Sequence, residues 1–238
     1  MLQTQSVSAG LLNILKKLMA LEELKNFRLV GGTALALQYG HRVSVDIDLF
    51  TDKSFDKSLI LAAINEKCQL ERVSKTANGL TFFIEEIKID LCNWAVPFIG
   101  ELIESDGIRM SAPGDIAAFK LDAIINRKEQ KDYYDLYFLL AHFSFHSLIQ
   151  TYRQKYPYNN IKDIFTAVAN ISEADFSAAP NLIAPLPWDV VKDSIRDQGK
   201  IYLETLQQQK ITEEQTKQAA IEKLLKQKTQ HQKKTDLD

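Results

Sequence analysis

Two aspartates separated by one residue, Asp46 and Asp48, follow shortly after a Gly31-Gly32-Thr33 turn. On a strand, alternate residues share a face, so these carboxylates project together while Val45, Ile47 and Leu49 turn into the sheet. Neighbouring carboxylates repel unless a cation stands between them. A hard divalent ion such as Mg2+ takes oxygen ligands and shares them with phosphates. The glycines supply the other half of a phosphate site. Backbone without side chains can approach a ligand closely, and amides exposed at a helix start attract anions. Thr33 adds a hydroxyl there. A double glycine or an Asp-x-Asp alone says little, but the two in this order, on strand, turn, helix and strand, point to metal-assisted chemistry on a polyphosphate.

Three further positions extend the set. Asp90, in Ile87-Lys88-Ile89-Asp90-Leu91, is an acid in an apolar strand, which is costly unless paired or metal-bound. Two-metal transfer needs ligands for both ions and a group near the attacking hydroxyl, and Asp90 suits either task. Lys120 and Arg127 lie near one helix face, where a cation can meet the triphosphate or its leaving pyrophosphate. Asp132 and Asp135 open the following helix and share a face. Asp135 is placed to orient Lys120 or assist a metal, whereas Asp132 reads more readily as an acid favoured by the helix dipole.

The elements that must carry these residues are legible in outline. Ser8 caps a first helix whose apolar residues recur at helical spacing. A short strand over 27–30 leads into the glycine turn. Thr33 caps a helix running to Tyr39, and Gly40 breaks it. A strand is expected over 43–51. A helix follows over 54–68, with Leu59, Ile60, Ala63 and Ile64 inward. Strands over 71–75 and 80–84 flank an Asn78-Gly79 turn, and strands over 87–93 and 108–110 complete a mixed sheet. From Pro113 the pattern turns helical, with helices over 113–127, 131–143, 146–155, 161–170 and 188–209. Residues 178–187, with three prolines, form a loop. The expected fold class is α/β in the α+β sense. Residues 1–111 form a mixed-sheet core, 112–209 a helical region completing the active-site cleft, and 210–238 a Gln- and Lys-rich disordered tail.

Composition sets the remaining bounds. The 238 residues are 45% hydrophobic and 25% charged, as in ordinary globular chains, with net charge −2. That weak charge gives no general attraction to nucleic acid, so any contact must come from a local patch. Cys68 and Cys92 lack metal-type spacing and read as buried thiols of a cytosolic protein. The apolar stretch over 11–24 is broken by Lys16, Lys17, Glu22 and Glu23, so it reads as amphipathic helix and not as a leader. No apolar run reaches the roughly 20 residues of a membrane span, and a cytoplasmic protein without membrane contact is expected. His142 and His146 have the spacing of a helical zinc pair, but the associated Glu and a third ligand are missing. Lys226, Lys228, Lys233 and Lys234 read as a solvated tail before an RNA contact.

The Gly-Gly-Thr…Asp46-x-Asp48 pattern resembles the DNA polymerase beta-like nucleotidyltransferase superfamily. The later pieces, Ile-Lys-Ile-Asp90-Leu, Lys120 with Arg127, and Lys131-Asp132-Tyr-Tyr-Asp135-Leu, resemble the AbiEii family of toxins from abortive-infection, type IV toxin–antitoxin systems. The likeness covers roughly residues 25–145. It implies transfer of a nucleotide from an NTP, with Mg2+, to an acceptor such as the 3′ end of tRNA, and a cognate antitoxin with a DNA-binding domain. Carried over by motif, it implies catalytic Asp46, Asp48, Asp90, Lys120 and Asp135, with the first three holding metal. It places Gly31, Gly32, Thr33, Arg42, Lys120 and Arg127 on the nucleotide, Arg42 matching a position where the family often has Arg. A protein or a small molecule such as an aminoglycoside as acceptor, or a module that binds nucleotide without turnover, are the alternatives.

Overall fold

The structure, a computed structural model, describes the backbone of residues 1–235 and the side chains of residues 1–223. Contacts divide the chain into Met1–Arg196 and Asp197–Asp238. The regions 1–111 and 112–196 both fall within the first unit.

That unit is built on one seven-stranded mixed sheet of order β3-β4-β5-β2-β1-β7-β6. The strands are β1 Arg28–Leu29, β2 Ile47–Thr51, β3 Glu71–Lys75, β4 Gly79–Ile84, β5 Ile87–Asn93, β6 Ile103–Ser105 and β7 Ile108–Met110. β2 and β5 run parallel at the centre, while β4 pairs antiparallel to β5 and β1 antiparallel to β2. Ile47 and Leu49 of β2, Ile89 and Leu91 of β5 and Leu80, Phe82 and Ile84 of β4 fill one face and are buried. Strand alternation therefore leaves Asp48, Lys88, Asp90 and Thr81 on the other face.

The helices are α1 Ala9–Met19, α2 Gly31–Tyr39, α3 Lys57–Asn65, α4 Pro113–Asn126, α5 Gln130–Leu140, α6 Phe145–Lys155, α7 Lys162–Ala169 and α8 Trp188–Thr235. Ser8 caps α1 by accepting from Leu11 N–H at 3.1 Å. α4 packs against α2, α5, α6 and α7, so the helical region closes on the sheet through the helix that follows β7. No helix among the described residues is long and apolar enough to cross a membrane.

Several expectations are corrected. The strand expected over 43–51 begins only at Ile47. Before it, Val43 N–H donates to Asn181 O and Ser44 N–H to Ser6 O, so these donors serve loops and not a sheet neighbour. Val45 is 66% exposed and does not enter the sheet. α2 begins at Gly31, making Thr33 an interior residue and not the cap. Asp56 caps α3, accepting from Ser58 and Leu59 N–H, and Leu59 faces out while Ile60 and Ile64 are buried. β6 is a strand the sequence pattern did not disclose. The histidine pair does not share a helix, because His142 follows the end of α5 and His146 lies in α6.

The second unit is the remainder of α8. Its backbone is helical past 209, where a tail was expected, and on to Thr235. No Gly or Pro follows Gly199, and Gln, Lys, Glu and Ala are good helix formers, so the composition that suggests disorder equally suits an exposed helix. The four tail lysines' side chains and residues 236–238 lie outside the described residues.

Candidate active site

The acids are gathered by strand register. Asp48 of β2 pairs directly with Asp90 of β5 in the parallel ladder, and residues opposite one another in a sheet share a face. Asp46, just before β2, is held by its own carbonyl, which accepts the Thr33 hydroxyl. Burial pushes the Asp48 carboxyl up to about 6; Asp90 adds to the shift, Lys120 opposes it and Asp46 reinforces it. The three acids thus crowd one another, and Asp48 bears the cost. Asp90 is answered locally, by Thr81 Oγ1 at 2.5 Å on one oxygen and Lys88 Nζ at 2.6 Å on the other.

Opposite the acids stands the glycine turn. The α2 ladder opens with Ala34 N–H to Val30 O at 3.4 Å, so the amides of Gly31, Gly32 and Thr33 precede the first intrahelical bond. Each glycine is required by a site side chain. Gly31 has φ +66°, and a Cβ there would stand 2.7 Å from Asp48 Oδ2. A Cβ on Gly32 would collide with Nη2 of Arg42. Thr33 is buried, with its hydroxyl committed to Ser44 Oγ at 2.8 Å and to the Asp46 carbonyl. Its side chain therefore positions the Asp46 segment, and only its amide belongs to the turn.

Beside the turn two buried carboxylates gather three cations, Arg42 and Lys120 buried and Arg127 half-exposed. Asp135 accepts from Arg42 Nε at 2.7 Å and Nη2 at 2.9 Å, pairs with Lys120 Nζ at 2.6 Å, and meets His41 Nε2 at 2.7 Å. Asp132 binds the same lysine at 2.8 Å and takes two bonds from Arg127 at 2.7 and 3.0 Å. Lys120 is 3% exposed and Asp135 0%. Burial disfavours every one of these charges. For Asp135 it is outweighed by Lys120 and Arg42, which hold the carboxyl well below its usual range. For Lys120 it is outweighed by Asp135 and Asp132, which keep the ammonium charged. Asp135 thus acts through its cations, and Arg42 lends positive charge to the turn from below.

Asp48, the turn and two of the cations meet at a cavity of about 240 Å³ lined by Gly31, Asp48, Lys120 and Arg127 together with Phe50, Trp94, Phe119 and Asp122. The three aromatics form a cluster: Phe50 and Trp94 stack at 5.6 Å, and Phe119 meets both edge-on at 5.5 and 5.9 Å. Asp46 and Asp90 flank Asp48 without lining this cavity. Sequence reasoning had left out the aromatics, Asp122, Lys88 and His41, and had read Asp132 as a helix-end acid. Alternation would have placed Phe50 beside Asp48. Nothing local marks Trp94 and Phe119, which meet only in the folded chain. Asp132 shares its face with Asp135, and that spacing was the available signal.

The segment 94–100 that carries Trp94 is fastened on both sides. Trp94 N–H donates to Thr51 O at 2.8 Å. Ile99 and Gly100 N–H donate to the buried Asp115 carboxylate at 3.0 and 2.8 Å. Lys155 Nζ, itself buried, bonds both Asp115 at 2.8 Å and Pro97 O at 3.0 Å.

A family model described as the AbiEii toxin nucleotidyl transferase of type IV toxin–antitoxin systems matches residues 13–235. An uncharacterized protein of Aquifex aeolicus (strain VF5) is 30% identical over 196 residues, 80% of this chain and 94% of that protein. Among solved structures, JHP933 from Helicobacter pylori superposes with TM-score 0.57 at 19% identity, covering 87% of this chain and 97% of that one. A second Helicobacter pylori chain gives TM-score 0.56 at 20% identity, covering 84% and 98%. At such identities these two likenesses establish the fold.

Proposed function

Since the chain belongs to the AbiEii family of nucleotidyltransferase toxins, we propose that it moves a nucleoside monophosphate from an NTP to a hydroxyl at an RNA 3′ end, tRNA being the first candidate, with Mg2+ as cofactor. The observation that carries this is the meeting of Asp48, Gly31, Lys120 and Arg127 at one cavity, with Asp90 in register beside Asp48.

The donor set fits a hard divalent ion. Asp46, Asp48 and Asp90 offer only carboxylate oxygens, and burial together with the neighbouring Asp90 raises the Asp48 pKa against the opposing lysines. Among the described residues no three His, Cys, Asp or Glu form a ready cage. Mg2+ rarely uses one; it takes one or two carboxylates and completes its shell with substrate phosphates and water. These three aspartates would hold it, and it would supply charge neutralisation on the triphosphate and acidify the acceptor hydroxyl.

The protein's own groups do the rest. The turn amides, backed by Arg42, hold phosphate oxygens. Lys120 and Arg127 oppose the charge that develops on the departing pyrophosphate. Asp90 would receive the hydroxyl proton as the acceptor oxygen attacks the α-phosphorus. The bond to the bridging oxygen breaks and its electrons leave with pyrophosphate. Phe50, Trp94 and Phe119 offer the cavity's stacking surface to the base. In the cell this activity would act as the toxin of a toxin–antitoxin pair, restrained by an antitoxin that carries a DNA-binding domain.

Purified protein with each labelled NTP and total RNA tests the reading. Label should enter RNA with Mg2+, disappear with EDTA, and disappear in Asp46→Ala and Asp48→Asn. Label in a protein band or on an aminoglycoside instead would replace the RNA acceptor. Absence of Mg2+-dependent transfer to any acceptor refutes the enzyme mechanism described.

A further inference from the structure

Lys88 has no part in the mechanism above, yet it stands among the acids. It lies two residues before Asp90 on β5, so alternation places it on the face that carries Asp90 and Asp48. Its Nζ bonds Asp90 Oδ2 at 2.6 Å. Asp48, the ladder partner of Asp90 on β2, stands on the same face beside this pair. Lys120 and Arg127 also act on Asp48, but Lys120 Nζ is taken by Asp132 and Asp135, and Arg127 pairs with Asp132. Lys88 is different: its side chain is 43% exposed and makes a single ion pair, so it can leave without stranding a buried partner.

We infer that Lys88 is a built-in counter-cation, holding the acidic face together while no metal is bound and yielding Asp90 when a divalent ion arrives. It is a positioning residue, since it works through Asp90. The same ammonium lowers the protein's affinity for a free ion, because any ion must displace it. The inference rests on the metal-dependent reading of the site.

The test uses Mn2+ alone, titrated into the full-length wild type, Lys88→Met and Lys88→Arg, with unfolding temperatures measured in EDTA. Charges a few ångströms apart interact strongly at protein surfaces, but the partial exposure of this pair calls for a heavy discount, leaving about a tenfold effect. Lys88→Met should bind Mn2+ about tenfold more tightly than wild type. Without metal it should unfold about 2–4 °C lower. Lys88→Arg should match wild type in both. A purely structural lysine would leave Mn2+ affinity unchanged or reduce it on removal, so tighter binding is the discriminating result. Equal affinities in wild type and Lys88→Met, or no Mn2+ binding by either, overturn the inference. RNA labelling by wild type judges the underlying reading separately. Labelling with equal affinities removes the role of Lys88 alone, whereas tighter binding by Lys88→Met without transfer to any acceptor keeps it and removes the reaction.

Discussion

Replacing Asp135 with asparagine should be the most damaging single change of charge in this protein. The carboxylate is fully buried and serves Arg42 through two bonds, Lys120 through one and His41 through one. The substituted amide would keep the shape and lose the charge, leaving three cations of the network facing Asp132 alone. Removing one partner of a buried pair costs about 3–5 kcal/mol, and an acid shared by two cations belongs at the upper end. For a chain of this size each kcal/mol moves Tm by about 2–4 °C, so Asp135→Asn should lower it by about 10–20 °C. The pH dependence has a definite sign. The Asp135 pKa is depressed in the folded state, so its stabilisation is present above the unfolded value of about 3.9 and is lost as pH falls through the lower folded value. The variant should therefore lose part of the acid limb of the stability curve. Calorimetry and urea denaturation between pH 2 and 7 would measure both effects. Adding Lys120→Met should recover part of the loss, since it removes one stranded cation. If Asp135→Asn unfolds within about 1 kcal/mol of wild type, or if Lys120→Met merely adds its own damage, the network does not work as described.

Other outcomes follow from the same geometry. Gly31→Ala would put a Cβ against Asp48 and force a side chain into left-handed backbone, while Gly32→Ala would displace Arg42. Each should cut label transfer by about a hundredfold, because small misplacements weigh heavily on reaction geometry, and Gly32→Ala should lower Tm more than Gly31→Ala, since it disturbs the pairing of Arg42 with buried Asp135. Asp48, with its carboxyl raised to about 6, predicts that metal-free protein loses stability as pH rises from about 4 through 6. Asp48→Asn should flatten that slope, and Mn2+ should reverse it by favouring the carboxylate; thermal melts across pH decide. Trp94→Ala removes a stacking surface and should raise KM for the NTP roughly tenfold with little change in kcat, in steady-state transfer assays.

The acidic and glycine motifs were legible because their geometry is local. Strand alternation fixes where Asp48 points relative to Ile47 and Leu49, and a glycine pair at a helix start needs no distant partner to be recognised. The cation half was only partly legible. Helical spacing suggested Lys120 and Arg127 as neighbours, but α4 ends at Asn126 and the two meet through Asp132, while the carboxylate partner of Arg42 is supplied by α5, nearly a hundred residues on, and no periodicity encodes either link. Val45 shows where the rule fails: alternation predicts its direction only if the strand exists, and the hydrogen-bond donors there went to loops. Asp132 shows the opposite error, a local explanation that was sufficient in isolation and was overridden by burial. Of the aromatic wall only Phe50 was legible, by alternation with Asp48; Trp94, just past β5, and Phe119 of α4 join it only by packing.

The double fastening of residues 94–100 has a mechanical meaning. The segment is pinned to the sheet through Trp94 and to the helical region through Asp115 and Lys155, so it behaves as a strut between them. A strut sets the width of the gap before anything enters it. If the nucleotide is held as proposed, it would meet at this wall a surface already tied to the sheet and to the helical region.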